Sequence, residues 1–131
     1  MCGIVGLFLK SPELELELGT HLSKMLVKLS DRGPDSAGLA LYTRKDSFDT
    51  KLTLRFENLS SNAELEQVLD KKLKNKFILE SRGSHHILKF EEKNHVAILD
   101  LLSNLQKPPR VMSEGSRIEI FKEVGSPADF V

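Results

Sequence analysis

Residues 51–57, KLTLRFE, alternate strictly between polar and apolar side chains. A period of two is typical of a β-strand with one face on a core and the other toward solvent. Residues 61–64, SNAE, then have the form of a capping box at the start of a helix. The apolar side chains after this box recur on one helical face. They are Leu65, Val68, Leu69 and Leu73. The stretch therefore predicts a half-buried strand followed by an amphipathic helix.

The same succession of elements is predicted again toward the C-terminus. Residues 77–79 are a short apolar run typical of a strand, and residues 81–84, SRGS, predict a turn. Residues 87–90 predict a returning strand. A second helix is predicted from Asn94, as its cap, to about Leu105. Its predicted core stripe consists of Val96, Leu99, Leu102 and Leu105, flanked by Ile98 and Leu101.

The complete order of elements predicts the fold class. Residues 108–109, Pro-Pro, end the second helix, and residues 110–112 predict another strand. The order over residues 51–113 is thus βαββαβ, that of a ferredoxin-like module with two helices on one face of an antiparallel sheet. Residues 118–124 predict a last strand, and residues 126–131 the start of a helix. The expected fold class is α/β (α+β), with residues 51–113 inserted into a second structure.

The segment before this module predicts a strand, a helix, a tight turn and a second strand. Residues 3–9, GIVGLFL, are a short apolar run that predicts a buried strand. Apolar spacing predicts a helix over residues 12–29, capped by Ser11. Residues 33–34, Gly-Pro, end this helix, and residues 38–43 predict the second strand. The predicted apolar face of the helix consists of Leu14, Leu18, Leu22, Met25, Leu26 and Leu29.

The composition of the chain excludes several classes of function. Its 131 residues carry equal numbers of acidic and basic side chains, so no basic excess indicates a nucleic-acid partner. A single cysteine, Cys2, excludes an internal disulfide. No signal peptide is recognisable, and no apolar run approaches the roughly 20 residues needed to span a bilayer. The expected location is the cytoplasm, with neither a nucleic-acid nor a membrane partner.

Cys2 lies directly behind the initiator methionine, where a thiol contributes little to a core. A free cysteine has a pKa of about 8.5 and needs a base to become the reactive thiolate. Removal of Met1, expected because the next side chain is small, gives Cys2 an α-amine with a pKa of about 7.7–8.0. That amine can accept the thiol proton and later pass it to a leaving amine, while Gly3 leaves room for a substrate. The alternative is that Cys2 is an incidental terminal residue.

Residues 31–38, DRGPDSAG, form a second motif. Taken alone, Gly33 is part of a helix stop and Arg32 is a cation at a helix end. Together with residues 1–6, MCGIVG, the motif resembles class II glutamine amidotransferases, in particular the glutaminase subunits of glutamate-synthase-like and N-methylglutamate-synthase-like complexes. Members of this family are N-terminal-nucleophile (Ntn) hydrolases with an αββα fold, which hydrolyse the side-chain amide of glutamine and pass the ammonia to a partner.

The resemblance implies roles for five residues and a set of partners. Cys2 matches the catalytic nucleophile, and the residues that match those orienting the active site are Gly3, Arg32, Gly33 and Asp35. A salt bridge between Arg32 and Asp35 that only fixes the turn is the alternative. No metal and no organic cofactor is implied. The implied partners are glutamine, a synthase subunit that accepts the ammonia, and further subunits of a homo- or hetero-oligomer.

Three features of the family are not matched. Residues 43–44, Thr-Arg, lack the rest of the segment that binds the glutamine α-carboxylate. The sequence has no Asn-Gly pair for an oxyanion hole, and no later aspartate can be assigned to the α-amine. The resemblance therefore implies that residues 1–50 and 114–131 are the front portion of a longer glutaminase domain, inactive alone, with residues 51–113 inserted. The alternative function is a non-catalytic regulatory or subunit-docking module built on the βαββαβ unit.

Overall fold

The computed structural model of the chain describes residues 3–57 and 62–130. Its contacts divide the chain into a terminal unit, Met1–Leu39 with Lys122–Val131, and a central unit, Ala40–Phe121. In chain order the helices and strands are α1 (Leu18–Val27), β1 (Ser36–Tyr42), β2 (Thr50–Arg55), α2 (Asn62–Leu73), β3 (Ile78–Arg82), β4 (His85–Phe90), α3 (His95–Ser103), β5 (Arg110–Gly115), β6 (Ile118–Val124) and α4 (Pro127–Phe130).

The helix predicted over residues 12–29 is present, but only its second part is α-helical. Pro12–Glu17 form a 3₁₀ helix, α1 follows, and Ser30–Arg32 add another 3₁₀ turn. Ser11 occupies the predicted cap position, although its side chain makes no capping hydrogen bond. Leu16 is 97% exposed, so no packing at this position selects α-helical geometry for the first segment.

The strand predicted over residues 3–9 is not formed. Exposure still alternates along this segment, with Ile4 and Phe8 95% and 84% exposed and Val5 half-buried between them. A strand needs a hydrogen-bonded neighbour, and no strand in the described part of the chain pairs with this segment. The prediction is wrong here because an apolar run indicates burial without specifying a partner for the backbone.

The central unit has the predicted βαββαβ order from β2 to β5. Its four strands form one sheet in the order β3-β4-β2-β5, and every neighbouring pair is antiparallel. Strands β3 and β4 form a hairpin that turns at Gly83, within the turn predicted over residues 81–84. The φ angle of Gly83 is +60°, in the left-handed region where a residue without a Cβ is favoured.

Helices α2 and α3 pack on the same face of this sheet, as the sequence predicts. The apolar core between them and the sheet consists of Leu52, Leu54, Phe56, Leu65, Leu69, Leu73, Leu88, Phe90, Ile98 and Leu102. The predicted stripe of α3 is wrong at Val96, which is 81% exposed, whereas Ile98 is fully buried. Apolar side chains occupy most faces of α3, so the sheet and not the helical period selects the buried face.

The second face of the sheet is polar and buried, where the alternation over residues 51–57 predicts exposure. Lys51 and Thr53 are only 3% and 0% exposed. Ser113 Oγ donates to Thr53 Oγ1 at 2.9 Å and accepts the N–H of Ile120 at 3.1 Å. The prediction is wrong for this face because β6 contacts it, and a contact so distant in the chain leaves no mark on a local pattern.

Strands β1 and β6 pair as a two-stranded sheet, at the places where two strands are predicted. Two hydrogen bonds flank their ladder: Thr43 N–H donates to Arg117 O at 3.0 Å, and Gly125 N–H donates to Asp35 O at 2.9 Å. The residue number rises by eight in one strand while it falls by eight in the other. The pair is therefore antiparallel.

The remaining predictions concern helix ends. Helix α4 forms within residues 126–131, where the start of a helix is predicted. Asn94 stands at the N-cap of α3 but makes no side-chain capping hydrogen bond. Ser61 of the predicted capping box lies outside the described residues. Among the helices that the structure describes, none is both long and apolar enough to cross a membrane.

Candidate functional site

The terminal unit contains a cleft of about 240 Å³. Its walls come from the N-terminal segment, the end of α1, the turn before β1, the start of β1 and α4. Four of the five residues predicted to serve the site line this cleft together: Gly3, Arg32, Gly33 and Asp35. The predicted nucleophile, Cys2, lies outside the described residues, but its covalent neighbour Gly3 is part of the wall.

Gly3 is packed closely against the end of the α1 region. A Cβ built on Gly3 would lie 3.1 Å from Leu29 Cδ2 and 3.5 Å from Arg32 Cβ. A carbon–carbon distance near 3.1 Å is well inside normal van der Waals contact, so a side chain here would push Leu29 aside. The absence of a side chain at residue 3 therefore lets the N-terminal segment lie against the Arg32 turn.

Backbone hydrogen bonds hold the turn that carries Arg32 and Asp35. Arg32 N–H donates to Leu29 O at 2.9 Å, and Gly33 N–H donates to Ser30 O at 3.3 Å. The carbonyl of Asp35 accepts a hydrogen bond from the N–H of Gly125, the residue that follows β6, at 2.9 Å. Both charged side chains are exposed and, among the described residues, form no ion pair with each other. The backbone hydrogen bonds therefore hold this turn without an ion pair between Arg32 and Asp35 among the described residues.

Gly33 has no conformational need to be glycine in this structure. Its φ of −159° is extended backbone that any residue adopts. A Cβ on Gly33 would meet no atom within 4 Å. A Cβ at Gly33, a residue that lines the cleft, would therefore be accommodated without displacing another atom.

The cleft is small, and two charged residues are among those that line it. Pockets for drug-sized ligands typically enclose roughly 300–1,000 Å³, and this cleft of about 240 Å³ is smaller. Its wall offers one guanidinium, from Arg32, and one carboxylate, from Asp35.

Sequence reasoning missed the apolar part of this wall. Leu26 and Leu29 line the cleft from the α1 end, and Pro127 lines it from α4. The spacing of the two leucines marks one helical face, which the sequence assigns to a core and not to a site. Pro127 carries no local signal, because it reaches the cleft only through the return of the chain along β6.

The two adjacent histidines point to opposite faces of β4, as predicted. The ring centroid of His86 lies 5.3 Å from that of Phe56 in the core, and the ring centroid of His85 lies 5.3 Å from that of Phe121 on the other face. Burial lowers the pKa of His86, and the nearby carboxylate of Glu66 partly opposes this shift. In the described part of the chain, no group of three or more His, Cys, Asp or Glu side chains could hold a metal ion.

Similarity to known proteins bears on the function of this cleft. Over its whole length the chain is 36% identical to the glutamine amidotransferase-like protein GlxB of Rhizobium meliloti, and it covers 44% of that protein. Over 42 residues, 32% of the chain, it is 48% identical to a protein of Methanothermobacter thermautotrophicus provisionally named a glutamine amidotransferase, of which it covers 13%. The chain thus spans less than half the length of these curated relatives. No protein-family model and no solved structure matches it. The similarity supports a glutamine amidotransferase family for the chain.

Proposed function

Because the chain is similar along its whole length to a glutamine amidotransferase-like protein, we propose that it is the front portion of a class II glutamine amidotransferase. The proposed reaction is hydrolysis of glutamine to glutamate and ammonia, with the ammonia passed to a synthase partner. The observation that carries the proposal is that Gly3 and the turn at residues 32–35 line one cleft. This brings the neighbour of the predicted nucleophile against the motif that the resemblance assigns to the same site.

In the proposed mechanism, the Cys2 sulfur attacks the side-chain carbonyl carbon of glutamine. The α-amine of Cys2 takes the thiol proton and returns it to the leaving nitrogen, which departs as ammonia. This leaves a γ-glutamyl thioester on Cys2, which water hydrolyses to glutamate while the thiol is regenerated. Met1 has to be removed first, because with Met1 in place the Cys2 nitrogen is an amide and cannot serve as a base.

The other site residues position the reacting groups in this proposal. Gly3 allows the N-terminal segment to lie against Leu29 and Arg32. Arg32 and Asp35 orient the terminus and the substrate from a turn that the backbone keeps fixed. Gly33 contributes to the same wall of the cleft without a side chain. Catalysis depends on such prior alignment, since well-oriented reactants lose little further entropy in the reaction.

The proposal also requires groups that the sequence does not contain. The chain has no Asn-Gly pair and no complete arginine segment for the α-carboxylate. Loss of a single oxyanion donor typically costs about 100–1,000-fold in rate, so we expect residues 1–131 alone to be inactive. In this proposal residues 1–50 and 114–131 belong to an Ntn-type fold of a longer cytoplasmic subunit, and residues 51–113 are a ferredoxin-like insertion in it.

The test measures glutamate release from glutamine by a polypeptide that continues the chain through the missing motifs, beside residues 1–131 alone. We expect turnover only by the longer form. Intact mass should show that the active form begins at Cys2, and a glutamine analogue with an electrophilic γ-carbon should label Cys2 alone. Cys2→Ala should abolish turnover. Activity above a few per cent in Cys2→Ala, or Met1 on fully active protein, contradicts the mechanism.

Gly33→Ala is a sharper variant, because it changes a residue that lines the cleft and should disturb folding little. The Cβ meets no atom within 4 Å and the backbone conformation is ordinary, so we expect the stability to change by less than about 0.5 kcal/mol. If glutamine binds at this wall, labelling of Cys2 should nevertheless slow, because the added methyl group changes the lining of the cleft. Unchanged labelling contradicts the assignment of this cleft to glutamine, and favours the non-catalytic docking module if turnover is also absent.

A further inference from the structure

Within the terminal unit, the side chain of Leu29 limits how closely the N-terminal segment can approach the end of the α1 region. A Cβ built on Gly3 would lie 3.1 Å from Leu29 Cδ2, but 3.5 Å from both Cβ and Cδ of Arg32. Carbon atoms in favourable contact are about 3.5–4.0 Å apart. Arg32 would therefore tolerate a methyl group at residue 3, whereas Leu29 would not.

The backbone of Leu29 is held on both sides. Its N–H donates to Leu26 O at 2.9 Å, and its carbonyl accepts the N–H of Arg32 at 2.9 Å. The side chain is half-buried and lines the cleft beside Leu26, which is 8% exposed. A side chain on a fixed backbone can yield only by departing from its preferred rotamer, which costs free energy. Leu29 therefore presents a firm surface to residue 3.

The place of residue 3 matters to the proposed reaction because this residue is bonded to the predicted nucleophile. Consecutive Cα atoms are about 3.8 Å apart across a trans peptide bond, so any displacement of residue 3 moves the point from which Cys2 extends. A reacting group misplaced by about 1 Å can lose about 100-fold in rate. A displacement of a few tenths of an ångström at residue 3 should therefore be measurable in the chemistry of Cys2.

We propose that Leu29 is a positioning residue for the N-terminal nucleophile. Glycine at residue 3 and leucine at residue 29 together set the distance between the N-terminal segment and the cleft wall. The inference rests on the proposed function, in which Cys2 attacks glutamine. It adds to the site a residue that the sequence assigns to the apolar face of a helix, and that acts through residue 3 and not on the substrate.

The test is a double-mutant cycle of Gly3→Ala and Leu29→Ala in the polypeptide that continues through the missing motifs, with Gly6→Ala as the matched control. Gly6 lies in the same segment, and a Cβ built on it would meet no atom within 4 Å. The control therefore makes the same change to the backbone without the close approach. The measurement is labelling of Cys2 by a glutamine analogue with an electrophilic γ-carbon, over a range of analogue concentrations.

With Leu29 present, Gly3→Ala should slow labelling at saturating analogue about tenfold and leave the half-saturating concentration within about twofold. This split separates positioning of the nucleophile from a loss of binding or of folded protein, which would not act on the saturating rate alone. In the Leu29→Ala background, the same methyl group should change the saturating rate by less than about twofold, because the obstructing side chain is gone. Gly6→Ala should also stay within about twofold.

A tenfold loss that persists in the Leu29→Ala background, or an equal loss in Gly6→Ala, overturns the inference. The melting temperatures of the same variants of residues 1–131 provide a second measurement that does not depend on glutamine. Gly3→Ala should lower the melting temperature only when Leu29 is present. If Cys2 is never labelled in unmodified protein, the proposed function fails, while the melting temperatures still decide whether Leu29 limits residue 3.

Discussion

Replacing Ile98 with alanine should destabilise the central unit strongly, while Val96→Ala should have almost no effect. The two residues are two positions apart in α3, about 200° around the helix. Ile98 is fully buried in the core, and loss of a buried isoleucine side chain typically costs about 2–5 kcal/mol. Val96 is 81% exposed, so its truncation should stay within about 0.5 kcal/mol. Alanine is also the better helix former at that position.

Thermal unfolding followed by circular dichroism measures this difference. For a domain of this size, 1 kcal/mol shifts the melting temperature by about 4–8 °C, so Ile98→Ala should lower it by at least about 8 °C and Val96→Ala by no more than about 4 °C. Ile98→Val serves as the conservative control and should cost about 0.5–1.5 kcal/mol. Equal losses for the two alanine variants, or a larger loss for Val96→Ala, would refute the orientation of α3 and restore the stripe that the helical period predicts.

Two further predictions concern the β3–β4 hairpin. His86 is buried with its pKa lowered below the ordinary value of 6.5, so the unfolded chain binds a proton more readily than the folded one as the pH falls below 6.5. The free energy of unfolding should therefore decrease from pH 6.5 to about pH 5. Denaturant titrations of His86→Leu should show that this part of the pH dependence is lost. An identical slope of the free energy of unfolding against pH in both proteins contradicts the role of His86. Gly83→Ala should cost about 1–2 kcal/mol because its φ is +60°, and Gly83→Asn should cost less; a neutral alanine variant would show that the turn adopts another conformation.

Much of the fold could be predicted from the sequence, because local periodicity survives in the elements that it predicts. The alternation of β2, the apolar stripe of α2 and the turn at Gly83 lead directly to the observed βαββαβ order. The prediction of strands and of buried faces failed where the outcome depends on a partner that is distant in the chain. Residues 3–9 have the composition of a strand but no ladder partner in the described part of the chain. Lys51 has the position of a solvent-facing residue, yet it is buried by a carboxylate 68 residues away in the chain.

The sequence predicts a set of residues for the candidate site but not their geometry. The motif at residues 31–38 and the glycine at residue 3 indicate one site by resemblance. That Gly3 lies too close to Leu29 for a side chain to fit without displacement follows only from the structure. The anchor of the Asp35 carbonyl is an amide from beyond β6, which no spacing rule connects to it. Sequence reasoning identifies candidate residues, whereas long-range backbone hydrogen bonds determine which of them line the same cleft.

The order of the four-stranded sheet leaves β3 at an edge, and this edge is crowded with charge. Glu80 in the middle of β3 pairs with Arg82 on the same strand and with Lys89 on the neighbouring strand, at 2.8 and 2.9 Å. A strand from a second molecule that added to this edge would have to displace water from these groups and disturb their pairing. The charged side chains therefore disfavour the addition of a further strand at β3. At high protein concentration, we expect the molecules to remain dispersed and not to form fibrils through this edge.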